Sequence, residues 1–136
     1  MKGFRERNLV LTLAGILTVV LILIGLCTRF VAIPWTVDGD SMEPTLRSGD
    51  RVLVDLWTYR NRPPEQGDVV LIRGPGSVRM VKRISPTGSP PGFVYVLGDN
   101  YENSQDSRKF GPIPREAVLG RVLLRYWPLS EAGPIL

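Results

Sequence analysis

Leu9 to Thr28 is a run of 20 residues without one charged side chain, rich in Leu, Ile and Val. As a helix rising 1.5 Å per residue it reaches about 30 Å, the depth of a bilayer's hydrocarbon core. Residues 9–28 are therefore expected to form a membrane anchor, and they are lost to whatever core the rest of the chain builds. Residues 1–8 carry Lys2, Arg5 and Arg7 against Glu6 alone. The positive-inside rule then places this basic tail in the cytoplasm and residues 29–136 across the membrane. Arg29 weakens that asymmetry without reversing it. A cleaved secretory signal has an apolar region of about 7–15 residues and a small-x-small cleavage site. This run is longer, and Gly25-Leu-Cys-Thr-Arg29 supplies no such site. The reading is a retained, single-pass anchor in the plasma or inner membrane.

Residues 29–136 are enough chain for one small unit, at about 100–200 residues per domain. They read as short strands punctuated by Gly and Pro: Arg51–Trp57, Asp68–Arg73, Val78–Ile84, Phe93–Leu97 and Arg121–Trp127. No stretch sustains a 3.6-residue apolar period, and 115–118 holds one helical turn at most. The expected fold is mostly β, a compact antiparallel core of barrel or sandwich type. Trp35, after Pro34, suits either the membrane interface or the core of the domain.

The formal charge of +4 and a pI near 9.6 raise the question of nucleic acid. No basic run, zinc pattern or aromatic RNA motif accompanies that charge, so no nucleic-acid partner is expected. Cys27 is the single cysteine, which excludes an internal disulfide, and it sits in the apolar run as a small hydrophobe. There is no histidine. A Ser–His–Asp triad and a His-ligated zinc are both ruled out, and neither a metal nor a cofactor is expected.

A serine without histidine needs another base, and lysine is the known substitute. The chain has 14 arginines but only three lysines, at 2, 82 and 109. Arginine cannot surrender its proton, whereas a desolvated lysine can. In the strand around it, Lys82 shares a face with Val78, Met80 and Ile84, so it is pressed against apolar surface that disfavours the ammonium. The alternative is a lysine that snorkels to solvent. Lys109, beside Phe110 in a polar loop, reads as solvated. Ser41 lies in Asp38-Gly-Asp-Ser-Met-Glu-Pro-Thr45, a turn in which Gly39 permits unusual backbone angles and Pro44 stiffens the exit. Such a turn presents a hydroxyl and leaves the Ser41 N–H free for an oxyanion. In Gly98-Asp-Asn-Tyr-Glu-Asn-Ser-Gln-Asp-Ser-Arg108, Ser104 could orient a neutral amine and Asp106 with Arg108 could brace the loop. Each string on its own also fits a solvated turn.

Together, and in this order, the strings resemble the type I signal peptidases, membrane-anchored serine–lysine proteases that remove signal peptides from exported proteins. The resemblance rests on the anchor, Gly39-Asp-Ser-Met-Glu-Pro-Thr45, Val81-Lys-Arg83, Gly98-Asp-Asn100 through Ser104-Gln-Asp-Ser-Arg108, and the closing Arg125-Tyr-Trp-Pro-Leu129. It implies Ser41 as nucleophile, Lys82 as general base and Ser104 as the lysine's assistant. It also implies Asp99 near Arg83, and Asp106 with Arg108 supporting the site. Gly39 stands where some members carry a Ser or Thr whose hydroxyl completes the oxyanion hole, leaving the Ser41 N–H as the one donor named. Ser85-Pro-Thr-Gly-Ser-Pro-Pro replaces the family's Gly-x-Pro-Gly-Asp, and the short interval from Lys82 to Gly98 leaves no room for the extra β-subdomain of many members. Tyr101 stands where an arginine is common.

The function implied is an endopeptidase that cleaves exported preproteins after small residues at the outer membrane surface, with preproteins and the lipid bilayer as partners. Two alternatives stand beside it. One is a dedicated maturation peptidase of the same family, of the nickel superoxide dismutase type. The other is an inactive, membrane-tethered β-domain that only binds peptides. Oligomeric state is not legible in the sequence.

Overall fold

The computed structural model describes the backbone of residues 2–29 and 32–136, and the side chains of residues 10–26 and 32–136. The chain divides into two compact units, Met1–Val31 and Ala32–Leu136. In the first, helix α1 runs Lys2–Arg29, and its apolar side chains from Val10 to Leu26 are exposed. The expectation of a spanning anchor does not carry over as a finding. Among the described residues no helix is long and apolar enough to cross a membrane, and the expected span 9–28 extends past the described side chains at both ends.

The second unit is antiparallel β throughout. Its strands are β1 (Ala32–Thr36), β2 (Arg51–Asp55), β3 (Val69–Arg73), β4 (Arg79–Ile84), β5 (Phe93–Val94), β6 (Val96–Leu97), β7 (Ile113–Pro114), β8 (Val118–Trp127) and β9 (Gly133–Pro134). Two single-turn α-helices interrupt them, α2 (Thr58–Asn61) and α3 (Ser107–Phe110), together with three 3-10 turns at Pro75–Ser77, Arg115–Ala117 and Leu129–Glu131. The main sheet is ordered β1-β2-β8-β3-β4-β6, with β9 also on β8, while β5 and β7 form a separate ribbon. Register shifts between β2 and β8, and between β3 and β8, mark bulges that bend the sheet.

The apolar run Val69-Val-Leu-Ile72 explains the centre of this arrangement. Period-2 alternation sends Val69 and Leu71 to one face and Val70 and Ile72 to the other, and both faces are covered. Val69 and Leu71 join Val52, Val54, Val81 and Val122 in one core, with Met42 and Leu46 from the loop before β2. Val70 and Ile72 join Ile84, Val94, Val96, Ile113 and Val118 in the second. Trp35, half-buried, packs against the first core, with the Arg79 guanidinium 6.0 Å from its ring centre.

Two strand expectations change. Phe93–Leu97 is not one strand: Phe93 and Val94 pair with Pro114 and Ile113, whereas Val96 and Leu97 pair with Ile84 and Arg83. Val78 lies outside β4 and is 57% exposed, because the β3–β4 hairpin closes there through Gly74 N–H donating to Val78 O at 2.8 Å. β1 is not among the strands expected from sequence, since Pro34 breaks the pattern; it is tolerated because β1 pairs on one side only, with β2.

Candidate active site

Ser41 is held by a loop pinned at several points. Val37 N–H donates to Asp50 O and Gly49 N–H to Val37 O, which closes the loop's base. Within it Gly39 takes φ +81°, a left-handed angle that glycine adopts without steric cost. Met42 and Leu46, 1% and 0% exposed, anchor the turn after Ser41 in the first core. Arg125, from the closing Arg-Tyr-Trp-Pro-Leu string, donates to Asp50 at 2.8 Å and pairs with Glu131, and Asp50 accepts from the Arg47 N–H. That closing string therefore contributes a brace for the serine's loop.

Lys82 reaches the serine from β4. It is 3% exposed, flanked on its own face by Met80 and Ile84 of the second core. Its Nζ lies 2.6 Å from Ser41 Oγ. Burial lowers the lysine's pKa, since the ammonium loses its hydration, while Asp106 and Asp99 pull the other way without cancelling the shift. The Ser41 N–H donates to no acceptor among the described residues.

The loop after β6 closes the site. Gly98 passes so near the serine's turn that an added Cβ would fall 2.5 Å from Ser41 O and collide with the Ser104 side chain. Only glycine permits that approach. The Gly98 N–H donates to Asp106 Oδ2 at 2.9 Å. Asp106 is 0% exposed and caps α3 through the Arg108 N–H; it also takes two bonds from the Arg108 guanidinium, at 2.9 and 2.6 Å. Burial alone would raise its pKa, but the Arg108 and Gly98 donors outweigh that and hold the carboxyl well below the usual range. Arg83 grips Asp99 with Nε and Nη2, each at 2.8 Å, and this pairing overcomes burial to lower the Asp99 pKa. Ser104 is 3% exposed and lines one cavity of about 260 Å³ with Ser41 and Lys82. Its hydroxyl is near enough to Asp106 to favour the carboxylate, yet it is outside hydrogen-bond geometry to any atom, Lys82 included. Tyr101 is 75% exposed, with the Arg108 guanidinium 4.0 Å from its ring centre.

Sequence reasoning gives no role to Asp40, Asn100 and Asn103, although all three lie inside the quoted strings. They tie the serine's turn to the closing loop. Asn100 N–H donates to Ser41 O at 3.0 Å, Asn100 Nδ2 to Asp40 O at 3.2 Å, and Asn103 Nδ2 to the Asp40 carboxylate at 2.7 Å. No local signal in the sequence finds them, since Asp40 lies 60 and 63 residues from the two asparagines. Replacing Asn103 with Ala removes the charge-assisted bond from an exposed residue. The expected result is a kcat about tenfold lower with KM within about twofold, because small displacements of a reacting group are costly in rate. The melting temperature stays put, as expected of a surface change of under about 0.5 kcal/mol. Steady-state kinetics beside a thermal melt check this, and an unchanged kcat removes the tie from the machinery.

Among the described residues no group of three His, Cys, Asp or Glu is placed to hold a metal ion. What the site offers is a hydroxyl, a buried amine and a free backbone donor.

The family model for signal peptidase, peptidase S26, matches residues 10–89 and 85–127. This chain belongs to the S26 signal peptidase family. It is a peptidase, built on the antiparallel β core consistent with that fold. The mitochondrial inner membrane protease subunit 1 of Xenopus tropicalis is 37% identical over 117 residues, covering 71% of this chain and 70% of the relative. The probable signal peptidase I-2 of Synechocystis is 31% identical over 158 residues, 85% of this chain and 72% of the relative. The signal peptidase IB of Staphylococcus aureus is 28% identical over 166 residues, with 83% and 85% covered.

Proposed function

We propose that this S26 peptidase is a serine endopeptidase whose nucleophile is Ser41 and whose general base is Lys82, and that it removes signal peptides from exported preproteins. The observation that carries the proposal is the 2.6 Å approach of a buried lysine amine to Ser41 Oγ in a chain without histidine. Neutral Lys82 takes the hydroxyl proton as Ser41 attacks the scissile carbonyl. The Ser41 N–H faces the oxyanion, and the Lys82 ammonium returns the proton to the departing amine. Lys82 then deprotonates water for attack on the acyl-enzyme, and Ser41 leaves protonated. Ser104 lines the same cavity as Ser41 and Lys82, and its unpaired hydroxyl is available to bond the amine during the reaction, the role the resemblance implies for it; Asp99 with Arg83, and Asp106 with Arg108, hold the surrounding backbone.

A cavity of about 170 Å³ beside Ser41, walled by Trp35, Val37, Met42 and Val81, has room for a short side chain. A narrower substrate range is the second reading, favoured by the short link of residues 85–92 between β4 and β5, which holds no added subdomain. The uncharged run Leu9–Thr28 and the exposed apolar side chains of α1 support a single-pass anchor, with the basic tail in the cytoplasm and residues 29–136 outside.

The test is cleavage of a signal-peptide-bearing preprotein by the full chain in liposomes, with the new N-terminus mapped by mass spectrometry. The expected result is one cut after a small residue, with the activity retained in carbonate-washed membranes. A chain that binds the preprotein and never cuts it refutes the proposal and leaves the inactive peptide-binding reading. Cutting of one preprotein among many supports the narrow range.

A further inference from the structure

Met80 lines three cavities at once. Two contain Ser41: the one of about 170 Å³ and the one of about 260 Å³ that also contains Lys82 and Ser104. The third, of about 390 Å³, contains neither Ser41 nor Lys82 and lies among Pro75, Val78, Met80, Gln105, Lys109 and Phe110. It joins the first through Val78 and the second through Gln105. Its floor is apolar: Phe110 and Met80 pack against the second core, and Val78 is left 57% exposed at the edge. Lys109 supplies its one charge. That ammonium has no carboxylate partner among the described residues, in a domain that otherwise places its positive charge on arginine.

We propose that this third cavity is a substrate subsite that takes a large apolar side chain of the preprotein close to the cleaved bond, with Lys109 favouring an acidic residue there or beside it. The proposal rests on the peptidase reading above. Continuity decides the occupant: an extended chain whose scissile carbonyl sits at Ser41 passes Met80 or Gln105 on leaving the two catalytic cavities. At about 390 Å³ against about 170 Å³ it has more than twice the volume of the pocket beside Ser41, and so takes a larger side chain. An aliphatic side chain that leaves water here gains in proportion to its buried area. A carboxylate nearby gains the modest, salt-screened attraction of a partly exposed pair.

The experiment measures binding without turnover. Full-length chain carrying Ser41→Ala, in detergent, is titrated with fluorescent peptides that span a preprotein cleavage site. Each position in turn carries Leu, Gly, Asp or Lys, and binding is read by anisotropy. At one position Leu binds about tenfold more tightly than Gly. There or at its neighbour, Asp binds about threefold more tightly than Lys at low salt. Adding Lys109→Glu, a change on an exposed side chain, inverts the Asp-to-Lys order at that position only, and high salt erases it. Equal binding of Leu and Gly at every position overturns the proposal, as does an Asp-to-Lys order that Lys109→Glu leaves alone. If Lys109→Glu instead alters self-association in sedimentation while peptide binding stays constant, the cavity belongs to a second copy of the chain, which also overturns it. Cleavage of the same peptides by the wild type reports separately on the peptidase reading. Lys109-dependent binding without any cut sinks that reading and keeps the subsite; cutting without Lys109 dependence does the reverse.

Discussion

Lys82→Arg lowers kcat for preprotein cleavage by about 10⁴-fold or more, and Ser41→Ala lowers it by about 10⁶-fold, while both proteins still fold. Arginine keeps the positive charge and much of the reach of lysine, but no accessible pH frees its lone pair. The loss therefore measures base catalysis and not charge. Lys82→Met separates folding from chemistry further. It replaces a buried amine that carries a desolvation cost with a thioether of similar length, so the melting temperature holds or rises while activity disappears. In the wild type, kcat/KM rises with pH as the Lys82 ammonium gives up its proton. The midpoint lies below the ordinary lysine value of about 10.4, because burial favours the neutral amine. The same burial has a stability signature of matching sign. The unfolded chain holds this proton at pH values where the folded one has released it, so the Lys82 contribution improves as pH rises. Substantial turnover in Lys82→Arg, or a flat pH profile, removes lysine from the mechanism.

The sequence and the structure agree most closely where a local rule suffices. The parity of β4 puts Lys82 beside Met80 and Ile84, and those side chains are in the second core with the lysine buried among them. The same rule fails for Val78, which lies in the hairpin's turn, since alternation holds only once the strand is paired. The antiparallel β character is visible in the spacing of Gly, Pro and short apolar runs. Which strand pairs with which is not. Phe93–Leu97 looks continuous because nothing local records that Ile113–Pro114, from beyond α3, captures its first half. The approach of Ser41 to Lys82, 41 residues apart, is likewise a product of long-range pairing, and only the resemblance carries it. The tie among Asp40, Asn100 and Asn103, and the cavity rimmed by Lys109, need coordinates. Each joins loops whose own composition says only that they are polar.

The second large effect is on stability and centres on Asp106. Its carboxylate is fully buried, accepts the buried Gly98 N–H, caps α3 and is gripped twice by Arg108. Asp106→Ala leaves the Gly98 N–H without a partner, removes the cap and frees Arg108. Summing an orphaned buried donor and a lost cap gives about 3 kcal/mol, with Arg108 counted lightly because its side chain is 25% exposed and can rehydrate. For a unit of this size that is a drop of about 12 °C in melting temperature. Asp106→Asn keeps the shape but discards the charge and turns one of the two accepting oxygens into a donor, so it costs the ionic part together with the bonds to that oxygen. Because the folded-state pKa is depressed, the stabilisation is complete above the unfolded value of about 3.9 and is lost as pH falls below it. The wild-type melting temperature should then fall between about pH 5 and pH 3, and Asp106→Asn should fall less steeply. The residual slope belongs to Asp99 and Asp68, whose pKa values are depressed as well. Parallel melting curves for the two proteins across that window would show that folding leaves the Asp106 pKa unchanged, and the Arg108 grip would then add no ionic stabilisation.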